Sequence, residues 1–386
     1  MWLNQVSGLL LKLGSPICDM KVENFIIKIA SRCNLNCSYC YMYNQGDETY
    51  KAQPKHMSYE IARNVAIKIK EHCESQNIQS IAIVFHGGEP LLVGLERFKA
   101  IVEIFEKSLL GINYMFAVQT NGVLIDGEWL DFFDSKEISI GISIDGTQGQ
   151  HDKYRVFHNG KGSYKEVINS VRLSQEHKAF GGALYVVNSS YNPKEIYDNF
   201  KRENVHAFNI LLPDGHYNNY PDGKKDFEDI SYGQWMIELY EVWKNDTNNR
   251  LSIIFFEDII KNLLYKNEKI GNQLIGNADN PVVCIETNGD IEILDSLRIC
   301  EEGITRSNLN ALNDNIIDVF ENPLFELYYK SHQILCNTCN ACEFKRTCGG
   351  GFLPHRYSKK NKFENPTIYC KDIKALLSYI KSDLEI

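Results

Sequence analysis

Cys33-Asn34-Leu35-Asn36-Cys37-Ser38-Tyr39-Cys40 decides how the rest of this 386-residue chain is read. The octapeptide directly follows an apolar, β-rich run, Phe25-Ile26-Ile27-Lys28-Ile29. It therefore lies in the loop at a strand's C-terminal end, where βα barrels gather their catalytic groups. Thiols separated by three and then two residues point to metal, and thiolate sulfur favours zinc or iron–sulfur. Three thiolates leave one iron of a four-iron cube open to a small molecule, whereas a structural zinc closes with a fourth protein ligand. His56 or His86 would have to close a zinc site here.

Beyond that loop, strand-like runs at 25–29, 81–85, 114–118, 138–143, 183–187 and 207–212 alternate with helix-period stretches at 58–73, 95–109, 128–133, 164–175 and 194–202. Apolar strands with short connections predict a parallel sheet buried on both faces. Six βα units are too few for a closed eight-stranded barrel, so the expected fold class is α/β: a partial (β/α)6 TIM-like barrel. We place an N-terminal extension at 1–21, the barrel at 22–230 and a helical bridge at 231–280, with helices near 232–244 and 255–266. A cysteine-rich C-terminal domain follows at 281–386. It opens with two strand-like runs around Asn288-Gly289, a hairpin signal.

Composition narrows the class. Hydrophobic residues make up 44% and charged residues 24%, ordinary values for a globular chain with a full core. The formal net charge of -9 argues against a sequence-independent grip on nucleic acid. No apolar run approaches the roughly 20 residues of a membrane helix. The Leu9-Leu10-Leu11 patch lacks the basic flank and cleavage site of a signal peptide. A soluble, cytoplasmic protein is expected, with neither nucleic acid nor membrane as partner. Of the 12 cysteines, only Cys18 and Cys73 stand alone. The other seven outside the first loop are Cys284, Cys300, Cys336, Cys339, Cys342, Cys348 and Cys370.

The C-x3-C-x2-C spacing, with Tyr39 before the last thiol, resembles the signature of the radical S-adenosylmethionine (SAM) superfamily. The resemblance implies that Cys33, Cys37 and Cys40 hold a [4Fe–4S] cluster whose open iron binds SAM. The reduced cluster would cleave SAM to a 5′-deoxyadenosyl radical that takes hydrogen from substrate. His86-Gly87-Gly88-Glu89-Pro90, after the second strand, looks like the family's Gly-Gly-Glu motif for the methionine amine. Gln119-Thr120-Asn121-Gly122 and Ser143-Ile144-Asp145-Gly146 end the next two strands, and Arg155 resembles an arginine that seats SAM. Tyr39, Gly87, Gly88, Glu89, Gln119, Asn121, Ser143, Asp145 and Arg155 are thus the implied SAM contacts. Singly, a Gly-Gly pair is usually a turn and an Asp after a strand usually a cap. Together, at successive strand ends, they coincide too often for that.

Cys339-Asn-Ala-Cys342-Glu-Phe-Lys-Arg-Thr-Cys348, with Cys370 downstream, resembles the SPASM domain, which normally carries two auxiliary [4Fe–4S] clusters. These four thiols match the outer cluster's ligands; a zinc knuckle would use nearly the same spacing. The inner cluster's pattern is broken, with Phe352 and Leu294 standing where it wants cysteine. Cys284, Cys300 and Cys336 either rebuild an inner cluster or are buried small hydrophobes. Two or three clusters are therefore expected.

Tyr41-Met42-Tyr43-Asn44-Gln45-Gly46-Asp47 and Gly349-Gly350-Gly351-Phe352-Leu353-Pro354-His355-Arg356-Tyr357 are similar to FxsB-like maturases that form cyclophanes in ribosomally made peptides. That resemblance implies a precursor-peptide substrate and a reduced flavodoxin or ferredoxin-type electron donor. It also implies a proton acceptor, for which Asp295 is the candidate and Glu301 the next; Asp295 as a hairpin cap is the competing reading. His355 and Arg356 either orient substrate or are solvated loop residues. Val22 to Ile29 offers an edge strand for leader-peptide addition, unless a separate protein recognises the leader. Sulfatase maturation, thioether formation and a zinc-stapled binding module without turnover are the alternatives.

Overall fold

A computed structural model describes residues 20–386. The Leu9-Leu10-Leu11 patch, Cys18 and all but the end of the N-terminal extension lie outside the described residues. The barrel strands are β1 (Asn24–Ala30), β2 (Ser80–Gly87), β3 (Asn113–Thr120), β4 (Ser139–Ser143), β5 (Phe180–Val186) and β6 (Ala207–Leu211). Between them run α1 (Tyr59–Gln76), α2 (Leu95–Ser108), α3 (Gly127–Ser135), α4 (Gln148–Tyr154), α5 (Tyr164–Ser174) and α6 (Pro193–Arg202). Side-chain caps start three of these helices where the sequence changes period: Ser58 accepts from Ile61 N–H, Asp126 from Trp129 N–H and Asn192 from Lys194 N–H. Then come α7 (Ser231–Asn245), β7 (Ser252–Ile253), α8 (Ile254–Leu264) and the two-residue strands β8 (Gly271–Asn272) and β9 (Ile275–Gly276). The last segment holds β10 (Val282–Ile285), β11 (Asp290–Glu292), β12 (Arg306–Asn310), α9 (Pro323–Tyr329), α10 (Asn337–Asn340), α11 (Lys345–Cys348) and α12 (Cys370–Asp383).

The partial barrel is present as expected. One 10-stranded sheet runs β12-β11-β10-β1-β2-β3-β4-β5-β6-β7, parallel from β10 through β7. Its two faces differ in a way that positions the site. Outward residues such as Phe25, Ile83, Phe85, Val118 and Ile142 are fully buried beneath helices; Phe85 stacks edge-on against Phe98 and Phe105 of α2, with centroids 5.2 and 5.7 Å away. The inward residues Ile26, Val84, His86, Ala117, Gln119 and Ser143 remain half-buried. The concave face is therefore an accessible lumen rather than a filled core.

The expected hairpin forms as β10 and β11, but with a four-residue connection, Glu286 to Gly289. Gly289 N–H bonds Glu286 C=O, Glu286 N–H bonds Asp290 C=O, and Gly289 takes φ +89°, which glycine adopts without a Cβ penalty. Strand β10 also pairs in parallel with β1, Ile26 opposite Cys284. This overturns one expectation: β1 is held by β10 on one side and β2 on the other, so it presents no edge to a leader peptide. Helix α4 lay outside the predicted elements because its Gln-Gly-Gln-His-Asp-Lys-Tyr sequence has no apolar period. Helix α12 was hidden by the cysteine reading of its first residue. Its Ile373, Leu376, Leu377 and Ile380 form a buried stripe, and it packs on α7.

Arg298 is the polar keystone of the C-terminal attachment. Fully buried, it donates to Asp47, Glu286 and Glu292 at 3.1, 2.9 and 2.6 Å. Removing one partner of such a network strands the others without a counter-charge. Arg298→Ala should cost about 3–5 kcal/mol. The readout is the urea midpoint followed by circular dichroism; an unchanged midpoint would show the network to be dispensable.

Candidate active site at the barrel mouth

The cysteine loop sits at the C-terminal end of β1, as its place in the sequence demands. It is laced to the segment after α4: Asn36 N–H bonds Val156 C=O and Ser38 N–H bonds Tyr154 C=O. Cys33, Cys37 and Cys40 are free and half-buried. Cys33 Sγ accepts from Leu35 N–H at 3.4 Å and lies 3.7 Å from Asn121 Nδ2. Burial pushes the Cys33 and Cys40 thiols up to about 12 and raises Cys37 as well, with Glu89 adding to the effect at Cys33.

Around this loop the strand-end motifs divide into two kinds. Glu89 is completely buried and spent on the chain itself. Its carboxylate accepts from Leu91 N–H, Thr120 Oγ1 and Asn121 N–H at 3.0, 2.7 and 2.8 Å, which pins the β2 loop to the end of β3. Gly87 and Gly88 serve close approach: a Cβ would stand 2.0 Å from Ala30 O at the first and 1.9 Å from Tyr43 OH at the second. Gln119 donates to Ser143 Oγ at 2.9 Å across the lumen face. The other kind has capacity left over. Arg155 donates from Nη1 to Tyr39 OH at 2.8 Å, and Tyr39 donates to Asp145 Oδ2 at 2.5 Å. Arg155 Nε is buried and has no hydrogen-bond partner among the described residues. A buried guanidinium donor left unpaired beside three thiols suits an added carboxylate, so these residues fit SAM.

A second polar group lines the lumen below. Lys28 Nζ stands 2.7 Å from Glu286 Oε1 and 3.5 Å from Asp295 Oδ2, and Tyr41 OH donates to Asp295 Oδ2 at 2.8 Å. Burial pulls Lys28 down, yet Glu286 and Asp295 outweigh it and hold the ammonium above its usual range. Burial likewise pushes Asp295 up, but Lys28, His86, Tyr41 and Arg298 outweigh it and keep the carboxyl below the usual carboxylate range. Tyr328 OH, buried without a hydrogen-bond partner among the described residues, lies near Cys284 and Asp295. Sequence reading missed Lys28, Tyr41 and Tyr328. The signal for Lys28 was present: a charge within a strand buried on both faces is costly without a partner.

Glu301 is placed elsewhere. It pairs with Lys362 at 2.5 Å and accepts from Tyr357 OH on the surface of the C-terminal segment. His355 and Arg356 are not solvated loop residues, being 2% and 1% exposed. His355 packs between Phe352 and Tyr369, with ring centroids 5.1 and 5.0 Å away.

Cys339, Cys342, Cys348 and Cys370 line one largely apolar cavity of about 320 Å³, walled also by Phe344 and Leu377. A lone zinc would sit within bonding distance of all four sulfurs. A cavity between them is the room a multinuclear cluster needs, so the donor set fits iron–sulfur. The other three thiols have different surroundings. Cys336 is hydrogen-bonded to Cys339, which lowers Cys336 and raises its partner. Cys284 faces the lumen beside Asp295, and Cys300 lies against Pro354 C=O. Leu294 and Phe352, at the two positions where the inner cluster wants thiols, are buried in the hydrophobic core. Two positions of the inner-cluster pattern are thus filled by core side chains.

Residues 27–210 match the Radical SAM superfamily. This part of the chain is a radical SAM domain, and the protein is a radical SAM enzyme; a [4Fe–4S] cluster and SAM are the cofactors its family implies. Its relatives include the cysteine-type anaerobic sulfatase-maturating enzyme of Clostridium novyi, 27% identical over 92% of this chain and 94% of that one. The serine-type enzyme of Bacteroides thetaiotaomicron is 28% identical over 86% and 82%. Among solved structures, anSMEcpe with bound AdoMet and Cp18Cys peptide superposes with a TM-score of 0.80 at 23% identity, covering 94% of this chain and 97% of that one. SuiB of Streptococcus suis bound to precursor peptide SuiA gives 0.60 at 15% identity, over 95% and 79%. At those identities the structures speak for the fold. Among the described residues no helix is long and apolar enough to cross a membrane.

Proposed function

We propose that this enzyme matures a ribosomally made peptide by joining an aliphatic β-carbon to a nearby aromatic ring of the same peptide. The observation that carries the reading is the arrangement around β1: the triple-thiol loop follows the strand's C-terminal end, while the strand's buried Lys28 holds Glu286 and stands 3.5 Å from Asp295, which Tyr41 also bonds. When bound, the first cluster and SAM supply a 5′-deoxyadenosyl radical, and the outer cluster supplies an electron sink. Arg155, Tyr39 and Asp145 seat SAM, with Gly87 and Gly88 letting the β2 loop come close. Asp295 takes the proton that the ring sheds as it regains aromaticity, and Lys28 balances the carboxylate's charge. A reduced flavodoxin or ferredoxin-type protein is the electron donor in this reading.

Formylglycine formation is the second reading, favoured by the names of the two sulfatase-maturating relatives. Against it stand Leu294 and Phe352, which break the two-cluster pattern. Anaerobic co-production with a candidate precursor peptide separates the two by accurate mass. A C–C crosslink removes two hydrogens, leaves thiols alkylatable and gives nothing that hydrazine traps. Formylglycine from serine also removes two hydrogens, but hydrazine traps its aldehyde; a thioether consumes a thiol. An aldehyde, or an unchanged peptide, would sink the crosslink reading.

Two clusters follow from the same geometry. Reconstituted protein should hold about eight irons, four per cube. Cys342→Ala should lose about four of them, and Cys284→Ala and Cys300→Ala none. About twelve irons in the parent protein would restore the inner cluster.

A further inference from the structure

Arg356 is a buried cation without a carboxylate. At 1% exposure it directs all five of its N–H donors to backbone carbonyls: Nε to Gly350, Nη1 to Ser331 and Ile334, and Nη2 to Gly349 and Gly351, at 2.6 to 3.3 Å. Hydrogen bonding is thus complete, yet the charge is not answered. Among the described residues it forms no ion pair with Asp or Glu within salt-bridge distance. Its guanidinium bonds the carbonyl of Gly350, which lines the outer cavity, and the thiols of Cys339, Cys348 and Cys336 are the nearby groups that would oppose its charge as thiolates. Two of these line the outer cavity. Burying an unpaired guanidinium costs several kcal/mol, so a site that retains one holds its counter-charge nearby.

The three glycines supply the geometry. Gly349, Gly350 and Gly351 take φ of +56°, +75° and +70°, and a Cβ on Gly350 would fall 2.8 Å from Arg356 Cζ. That left-handed run curls three consecutive carbonyls around the guanidinium immediately after the ligand Cys348. Carbonyl dipoles solvate the cation without neutralising it. Its field remains available to whatever the thiolates hold.

We infer that Arg356 is the built-in counter-ion of the outer cluster and raises its reduction potential. The inference rests on the outer thiols binding an iron–sulfur cluster. A four-thiolate cube is anionic and gains one further negative charge on reduction, so a fixed cation beside it favours the reduced form. Arg356 is a positioning residue here; it touches neither substrate nor SAM.

The test is a redox titration of the outer cluster followed by electron paramagnetic resonance in Cys33→Ala/Cys37→Ala/Cys40→Ala protein, which isolates its signal. Arg356→Gln keeps part of the carbonyl bonding and deletes the charge; Arg356→Lys keeps the charge and loses the fork. With Gln the oxidised-to-reduced ratio should shift at least tenfold toward oxidised, about 59 mV lower for one electron, while Lys stays within threefold of the parent. Equal shifts in both, or none with Gln, would overturn the inference. Should the Gln protein not fold, Lys decides: a potential within threefold supports a charge role, and a tenfold shift refutes it. Absence of iron in the parent triple variant would instead overturn the outer-cluster reading, and this inference with it.

Discussion

Cys37→Ala should abolish SAM-dependent formation of 5′-deoxyadenosine. The loop offers three free thiols, at Cys33, Cys37 and Cys40. With the middle ligand gone the cube loses a corner, and SAM loses the iron that would hold it. Water offers no competing route to this homolysis, so the product should fall to background. The iron content should drop by about four, one cube. Cys73→Ala is the control, since Cys73 is fully buried in α1, within the hydrophobic core. Anaerobic assay with a chemical reductant and chromatographic detection of 5′-deoxyadenosine reads the result. Formation at the parent rate in Cys37→Ala would remove the loop from the chemistry.

The second large effect is an uncoupling. Asp295→Asn should leave 5′-deoxyadenosine formation within a few fold of the parent while crosslinked peptide falls by about 10²–10⁴, the range of a lost general base. Asparagine preserves the shape and the bond from Tyr41, and Lys28 keeps Glu286. A loss of both products together would assign Asp295 to seating SAM or peptide instead. The pH dependence follows from the same contacts. Burial raises the Asp295 carboxyl, but Lys28, His86 and Tyr41 more than reverse it, so the folded value lies below the unfolded one. A depressed carboxyl adds stability above its unfolded pKa, near 3.9, and that stability is lost as pH falls through the folded value. Asp295 is therefore ionised throughout the neutral range, and crosslinking should not decline on its account between about pH 8 and 6. A base this weak suffices because the ring it deprotonates regains aromaticity. Lys28→Met should raise the Asp295 carboxyl and introduce a decline toward low pH.

Much of the fold was readable because its causes are local. The strands 81–85 and 114–118 and the helix beginning at Ser58 follow from apolar period and from a capping side chain, and the structure places them within a few residues. Helix α4 was not readable, since polar residues with no period are held in place by burial of Gln150 and His151. The candidate site divides in the same way. Spacing picked out the three thiols of the first loop, and the SPASM resemblance picked out the four that share the outer cavity. Of the two readings of His355 and Arg356, the solvated-loop one fails: Phe352 and Tyr369 pack on the first, and backbone carbonyls enclose the second.

By itself the sequence determined the order of βα units, the position of the thiol loop after β1 and the turn at Gly289, each specified by neighbours a few residues apart. Tertiary structure decided which distant groups meet. Tyr41 and Asp295, 254 positions apart, are joined only because β10 docks on β1. Cys336 is bonded to Cys339, and Arg356 is set among backbone carbonyls near the thiols of Cys336, Cys339 and Cys348. The physical reason is one of range. Periodicity and capping act over a turn of helix or a strand, whereas a buried charge is stable only where packing brings its partner, wherever that partner lies in the chain.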